Sequence, residues 1–484
     1  MDLSVEDKGG RGGGDLSPPV CRLWLLAICG LALAVRLYRL DRLSFWFDEG
    51  VSADLSTFAD SSLWHADVHP PLYYALLATW RQFGGQDFWL RLFSVLFGVA
   101  TLPVTYLLGK QLFCARAGLW SAAFLSVMLL HIKHSQETRM YTLMVFLFAA
   151  ALLALVRAAR GDRRKDWWAY VVCAALLAYS HALGWMYVAV LTALFPFLTA
   201  GEVRRFQTWR PLLLATLTVV LAFLPWLPVY IFRAKAVIAD YWITEIDPEL
   251  VVTRGIWFAP ILLVLAFTVL RARAGHRRAI WALVTACVLP IAVFLLAGYL
   301  IRPLFVLRYA LPVLIPVVLL LGATDDVLPG RRALIHLLLG TMLCFFTTRS
   351  FTGLRQLKTE EWRDASKYLQ TSVRPRDLLV LDTPIAGDKI STGFTLLERY
   401  DSGQRLAQVA RLILPVGINP VIEQPDVSLD RAARSFPPGQ VLWIIQSHPI
   451  HAQEQIIAQW LNAHVETNAQ REFDGILVTR ATVR

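Results

Sequence analysis

Charge is what this sequence has least of. Only 17% of its 484 residues are Asp, Glu, Lys or Arg, against 56% that are apolar, whereas soluble domains average about 25% charged. That scarcity excludes an ordinary soluble enzyme and indicates a polytopic α-helical membrane protein. Cysteine is scarce too. Cys21, Cys29, Cys114, Cys173, Cys287 and Cys344 all fall in apolar segments, without zinc-ligand spacing. A disulfide framework is therefore not expected, and these residues read as small core or lipid-facing side chains. The C-terminal region lacks a nucleotide-binding fingerprint and a metal-ligand cluster, and no repeat of fixed period runs through the chain.

The net charge of +11 is unevenly placed. From Phe351 onward fifteen basic residues balance fifteen acidic ones, so the whole excess lies in the apolar part. Cytoplasmic loops of membrane proteins favour Lys and Arg. The basic character is thus a topology signal, and nucleic acid is not expected as a partner.

Residues 1–19 are polar and glycine-rich and read as a disordered cytoplasmic leader. The first span, 20–38, contains an Ala32-Leu33-Ala34 triplet that mimics a signal-peptidase site. Arg36 and Arg39 follow at once, and many spans come after, so an uncleaved signal anchor is expected. Residues 39–87 are too polar and proline-broken to cross a membrane. They form a first extracytoplasmic loop with interfacial helices at about 48–60 and 70–83, the second opening on Pro70-Pro71. Apolar segments at about 88–109, 117–133, 141–156, 167–180, 183–199, 211–231, 254–270, 279–300, 305–323 and 333–350 bring the expected total to about eleven transmembrane helices. Basic loops alternate with loops carrying Asp48/Glu49, His134 to Tyr141, Ser180-His181, Ala234 to Thr253 and Arg302 to Arg308. This alternation sets the N-terminus inside, and the active site and C-terminus outside. Residues 20–350 then form the membrane domain. Residues 351–484 read helix, strand, helix, strand, helix, strand, as expected of a soluble extracytoplasmic α/β domain.

The unusual polar residues converge on one side. They are Asp48 and Glu49; His65 and His69; Lys133 to Tyr141, with Gln136, Glu137, Arg139 and Tyr141; Ser180-His181; and Arg308-Tyr309. Charges near a bilayer are expensive, by roughly 2.5–3.5 kcal/mol at mid-depth, and mark function by default. A carboxylate in a partly apolar cleft can take a proton from an attacking hydroxyl. Arginine grips phosphate bidentately. Together these groups suit transfer from a lipid-phosphate carrier, whose phosphate is already a good leaving group.

The motifs Trp46-Phe47-Asp48-Glu49-Gly50, His69-Pro70-Pro71-Leu72-Tyr73-Tyr74, Arg91-Leu92-Phe93-Ser94, Ser135 to Tyr141 and Arg308-Tyr309 before Pro312 occur in that order. In this combination the chain, over about residues 20–325, resembles the family 39 glycosyltransferases. These are the dolichyl-phosphate-mannose–protein mannosyltransferase-like proteins of the GT-C superfamily. The resemblance implies a GT-C-like fold and an inverting transfer of a sugar, mannose or a related hexose or pentose. The donor would be polyprenyl-phosphate-linked, and the glycan, lipid or protein acceptor would lie outside the cytoplasm of a bacterial plasma membrane. It further implies that Asp48 is the base, and that Gln136, Glu137, Arg139, Tyr141, Arg308 and Tyr309 line the pocket. Trp362-Arg363-Asp364-Ala365 resembles the opening of soluble tails in bacterial members.

Plainer readings compete. Asp48 suits a helix N-cap, and Glu49 is either a catalytic partner or a first-turn dipole partner. Arg139 reads alternatively as a snorkelling anchor, and Tyr141 and Tyr309 as members of an aromatic belt. His69 and His181 are expected as polar contacts in the site. A divalent cation among Asp48, Glu49, Glu137, His65 and His69 is the cofactor reading left open. His131 and His336 read as satisfied buried histidines. The alternative to a transferase is a transporter or flippase of a lipid-linked sugar, with Asp48, Glu137 and Arg308 divided between the two faces.

Overall fold

The structure is a computed structural model. It describes residues 16–57, 67–161, 163–199, 203–239, 259–271, 274–301, 306–327, 332–382, 392–413, 436–447 and 459–484. The expected leader, except residues 16–19, and His65 lie outside these residues, as does most of the loop from Ala234 to Thr253.

Every expected apolar segment contains helix. In order these are α1 (Pro18–Leu37), α2 (Phe47–Leu55), α3 (Leu72–Arg81), α4 (Asp87–Leu112), α5 (Ala115–Val127), α6 (Leu129–Ser135), α7 (Tyr141–Gly161), α8 (Arg164–Ser180), α9 (Gly184–Leu198), α10 (Phe206–Phe223), α11 (Leu227–Ala239), α12 (Ala259–Leu270) and α13 (Arg277–Leu300). A 3-10 turn (Leu307–Val313) then leads into α14 (Leu314–Val327), which α15 (Arg332–Gln356) follows. This is an integral membrane protein. The count of eleven spans is not reached: among the described residues seven helices are long and apolar enough to cross, or eight if the bent pair α5/α6 is one span. The shortfall is one of length. A straight span needs about 20 residues, whereas α8 has 17, α9 has 15 and α12 has 12.

The helix expected over about 117–133 is broken at Met128, where α5 and α6 meet at 62°. A break at membrane depth frees backbone carbonyls that lipid cannot satisfy. Here Ser126 O accepts Arg36 Nη1 at 3.1 Å, and Val127 O accepts the Ser350 hydroxyl. Arg36 is fully buried without a carboxylate partner among the described residues; it also donates to Ser135 Oγ and to His131 Nδ1, at 3.2 and 2.8 Å. The bend turns α6 so that it delivers residues 136–140 to the site.

The basic loops gather at one end of the bundle. Arg160 at the end of α7 donates to Gln111 O on α4, and Arg278 on α13 donates to Pro196 O on α9. The opposite end carries α2, α3, the 136–140 and 181–183 turns, the 3-10 turn and the C-terminal region. That region has α16 (Trp362–Ser372), α17 (Thr392–Arg399) and a five-stranded sheet in the order β2-β1-β3-β5-β4. The strands are β1 (Leu378–Asp382), β2 (Ala410–Ile413), β3 (Val441–Ser447), β4 (Val465–Phe473) and β5 (Ile476–Val483). β1 pairs in parallel with β2 and β3, whereas β5 runs antiparallel to β3 and β4. Strands β2 and β4 were not expected. In β4 only the end residues are buried, so this edge strand lacks the apolar alternation that marks a strand in sequence.

The C-terminal region is packed onto the first loop. A Cβ on Gly50 of α2 would come within 2.7 Å of Thr392 Cγ2 and 2.9 Å of Leu396 Cγ, so only glycine lets α17 approach this closely. Thr395 Oγ1 donates to Asp54 Oδ2 at 2.7 Å. Arg399, Tyr400 and Arg363 all reach Asp87 at the start of α4, at 2.6, 2.7 and 3.2 Å.

Candidate active site

The site is built on the first turn of α2. Trp46 is extended and precedes the helix, and Glu49 reaches back to its backbone N–H at 3.4 Å. Asp48 is therefore inside the first turn and is not the N-cap. Its carboxylate is about a quarter exposed. Arg139 Nη2 and Arg308 Nη2 stand 3.8 and 3.9 Å from the same Asp48 Oδ2.

The two arginines are distant in the sequence and are held differently. Arg139 donates through Nη1 to Asp48 O and to Ser52 Oγ, both at 3.0 Å, and is locked to α2. Its own carbonyl accepts Ser94 Oγ from α4. Arg308 is held by rings: its guanidinium carbon lies 5.6 Å from the Trp46 ring and 5.7 Å from that of Tyr309. Tyr309 O in turn accepts the Tyr187 hydroxyl at 2.7 Å.

Two histidines complete the ring. His69 and His181 lie with ring centroids 4.4 Å apart. The Ala182 N–H donates to His69 Nδ1 at 3.3 Å, and the Leu183 N–H to His181 Nδ1 at 3.0 Å. A backbone N–H can only donate, so both Nδ1 atoms accept, and each neutral ring carries its proton on Nε2. Burial holds both imidazoles well below the ordinary histidine range. Arg139 and Arg308 add repulsion to His69, and His69, Arg139 and Arg308 to His181. Tyr141 and Tyr309 pack on His181 at 5.7 and 5.6 Å. Asp67 fixes the turn before Pro70: its Oδ1 accepts the Val68 N–H at 2.6 Å, and its Oδ2 accepts the Tyr74 hydroxyl.

Four N–H donors in this ring are buried without a hydrogen-bond partner among the described residues: Trp46 Nε1, Arg139 Nε, Arg308 Nε and His181 Nε2. Buried polar groups are almost always paired. Four orphaned donors, two of them on the guanidiniums of Arg139 and Arg308, suit a ligand rich in anionic oxygen.

Carboxylates for a cation are not free in the same way. Glu137 is bound to His134 Nδ1 at 2.6 Å and lies 3.9 Å from Lys133 Nζ. Burial would raise its carboxyl, but His134, Lys133 and Arg308 outweigh burial and hold it below the usual range. Among the described residues no three His, Cys, Asp or Glu side chains come together as a metal site.

Residues 68–229 match the family model described as dolichyl-phosphate-mannose-protein mannosyltransferase. No curated protein matches the sequence. Among solved structures, ArnT from Cupriavidus metallidurans bound to undecaprenyl phosphate is similar at a TM-score of 0.62 and 14% identity, over 94% of this chain and 98% of that one. Its apo state gives 0.61 and 15%, over 95% and 98%. The archaeal oligosaccharyltransferase AglB from Archaeoglobus fulgidus, in complex with an inhibitory peptide and a dolichol-phosphate, gives 0.54 and 12%, over 95% and 74%. The chain shares the fold of these structures, the GT-C fold.

Within this GT-C fold the structure gathers Asp48, His69, Arg139, Tyr141, His181, Arg308 and Tyr309, with Glu137 beside them. Two expected site residues are placed elsewhere. Glu49 has no exposed surface: Arg91 Nε and Nη2 reach its two oxygens at 2.8 and 2.6 Å, and Oε1 also accepts the Thr138 N–H at 2.8 Å. It ties α2 to α4 and to the second loop, and has no surface to offer a substrate. Gln136 donates its amide to Arg36 O and Tyr38 O, both at 2.9 Å. It satisfies carbonyls at the C-terminus of α1, where a helix has no partners of its own.

Residues not singled out from sequence as site groups also matter. Trp46 lies within a quoted motif but gave no signal of its own beyond being aromatic. Arg91 stood in another motif without an assigned role. Asp67, Ser52 and Ser94 act through turns and backbone contacts that spacing does not reveal.

Proposed function

We propose that this protein is an inverting glycosyltransferase that moves a sugar from a polyprenyl-phosphate-linked donor to an acceptor hydroxyl outside the cytoplasm. The observation that carries the reading is the partly exposed Asp48 carboxylate between Arg139 and Arg308, inside a ring of orphaned N–H donors. The acceptor O–H gives its proton to Asp48 as its oxygen attacks the anomeric carbon. The bond from that carbon to the phosphate oxygen breaks, and the electron pair leaves with the lipid phosphate. Arg139 and Arg308 receive the developing charge, in surroundings where fixed donors are strongest. His69 and His181, neutral and protonated on Nε2, supply further donors without adding charge. The undecaprenyl phosphate bound to ArnT and the dolichol-phosphate bound to AglB support this donor class. The sugar is mannose or a relative.

The basic loops at the far end of the bundle support a cytoplasmic N-terminus, with the site and the 351–484 domain outside. The flippase alternative draws no support: Asp48 and Arg308 are 3.9 Å apart, and Arg308 acts on Glu137, so these charges share one face. The test supplies purified full-length protein in lipid nanodiscs with radiolabelled polyprenyl-phosphate sugars and cell-envelope acceptors. Transfer of label with release of polyprenyl phosphate is expected. The same protein in sealed vesicles reports on the alternative: movement of intact donor across the bilayer without transfer would establish it.

A further inference from the structure

The N-terminus of α2 leaves a backbone N–H at Phe47, one residue before Asp48, and helix ends must find partners for such groups. The partner comes from 313 residues further along the chain. Glu360 Oε2 accepts the Phe47 N–H at 3.1 Å and the Trp362 indole N–H at 2.5 Å. Its backbone carbonyl accepts the Ser44 hydroxyl at 2.5 Å. Thr359 Oγ1 donates to Ser44 O at 3.2 Å.

The Glu360 side chain is itself fixed. It is buried, Trp362 is fully buried, and the Glu361 N–H donates to Asp474 O at 2.9 Å in the β4–β5 turn. Gly475 in that turn has φ +71°, and a Cβ there would lie 2.9 Å from Glu360 Cγ. The sheet of the C-terminal domain thus presses Glu360 against the start of the helix that bears the proposed base.

Resting on the glycosyltransferase reading, we propose that Glu360 is a positioning residue for Asp48: through the Phe47 N–H it sets the first turn of α2, and so the place of the carboxylate between Arg139 and Arg308. Glu360 touches neither donor nor acceptor. Its role depends on the reach of an acceptor oxygen and not on charge. Burial raises its carboxyl to about 8, with Asp48 and Glu49 adding to the rise. The uncharged form therefore belongs to the working range of the protein.

The experiment compares Glu360→Gln with Glu360→Asp in full-length protein in nanodiscs, with kcat and donor KM measured separately. Gln keeps the reach and loses the charge; Asp keeps the charge and withdraws the oxygen by one methylene. Gln is expected within about threefold of wild-type kcat, and Asp at least ~10-fold lower with donor KM little changed, since a misplacement of about 1 Å from a mutation away from the chemistry can cost ~100-fold. Equal kcat in the two variants, or an effect confined to KM, overturns the proposal while leaving the transferase reading standing. If the Asp variant does not fold, Trp362→Phe removes the second N–H that holds Oε2 while filling the same space. An unchanged kcat in that variant overturns the proposal, and a loss of kcat at constant KM supports it. A wild-type protein without transfer activity overturns the transferase reading itself, and this proposal with it.

Discussion

Arg91 grips Glu49 through two parallel hydrogen bonds, Nε to Oε1 at 2.8 Å and Nη2 to Oε2 at 2.6 Å, and its remaining donors reach Leu40 O, Leu43 O and Ser44 O. One guanidinium thus holds the carboxylate beside Asp48 and the chain leading to it. Removing one partner of a buried pair costs roughly 3–5 kcal/mol, because the other charge is left uncompensated. Glu49→Ala is expected to lower the melting temperature of the purified protein sharply. Arg91→Lys also falls, since a single ammonium cannot make five directed bonds. A melting curve for Glu49→Ala that matches wild type would remove Glu49 from this structural role.

Asp48→Asn keeps shape and loses the proposed base. Turnover is expected to fall by about 10²–10⁴-fold, the usual contribution of a positioned general base, with thermal stability unaltered. Binding of polyprenyl phosphate, followed by calorimetry, is expected to persist. Turnover near the wild-type rate would assign the base elsewhere.

Arg139 and Arg308 are expected to differ on substitution. In the proposed reaction each substitution removes stabilisation of the leaving phosphate, and loss of one such donor costs roughly 10²–10³ in kcat. Arg139→Lys also breaks the bonds to Asp48 O and Ser52 Oγ, and so lowers stability as well as rate. Arg308→Lys loses only ring contacts and its approach to Asp48, and is expected to melt close to wild type. Inhibition by free polyprenyl phosphate is expected to weaken in both. Inhibition of unchanged strength in both would deny them contact with the phosphate.

The histidine pair gives stability a dependence on acid. Both rings sit well below the usual value of 6.5 in the folded protein, so the unfolded chain takes up protons first as pH falls. Their contribution is present above about pH 6.5 and is lost progressively below it. The melting temperature is expected to drop between pH 7 and pH 5, and a His69→Gln/His181→Gln double variant to show a shallower drop. Equal slopes would mean that other groups govern the acid limb.

Gly50 tests the docking of the C-terminal domain. Gly50→Ala forces a methyl group against Thr392 and Leu396, and overpacking of this kind costs roughly 1–3 kcal/mol. Protease accessibility of the C-terminal domain is expected to rise as turnover falls. A variant that resists protease like wild type would show that α17 yields without cost.

The sequence made the apolar segments, Asp48 and the paired arginines legible because their signals are local: hydropathy over twenty residues and charges where charge is rare. It exposed neither the bend at Met128 nor the use of Arg36 to satisfy it, because the cause is the delivery of residues 136–140 across the bundle. Asp48 and Glu49 read alike as neighbouring carboxylates, yet successive helical positions point about 100° apart. One therefore faces the arginines of the site and the other is enclosed by α4. Glu360 carried no signal at all: its partner lies 313 residues away, and only the folded sheet brings the two together.

That separation has a temporal side. The first loop precedes all but one of the described spans in synthesis, and the strand pair whose turn backs Glu360 follows every one of them, at 465–483. The Phe47 N–H at the start of the helix bearing Asp48 therefore meets Glu360 only after the described spans have been made. The first turn of α2 is thus finished by a residue made after the membrane domain.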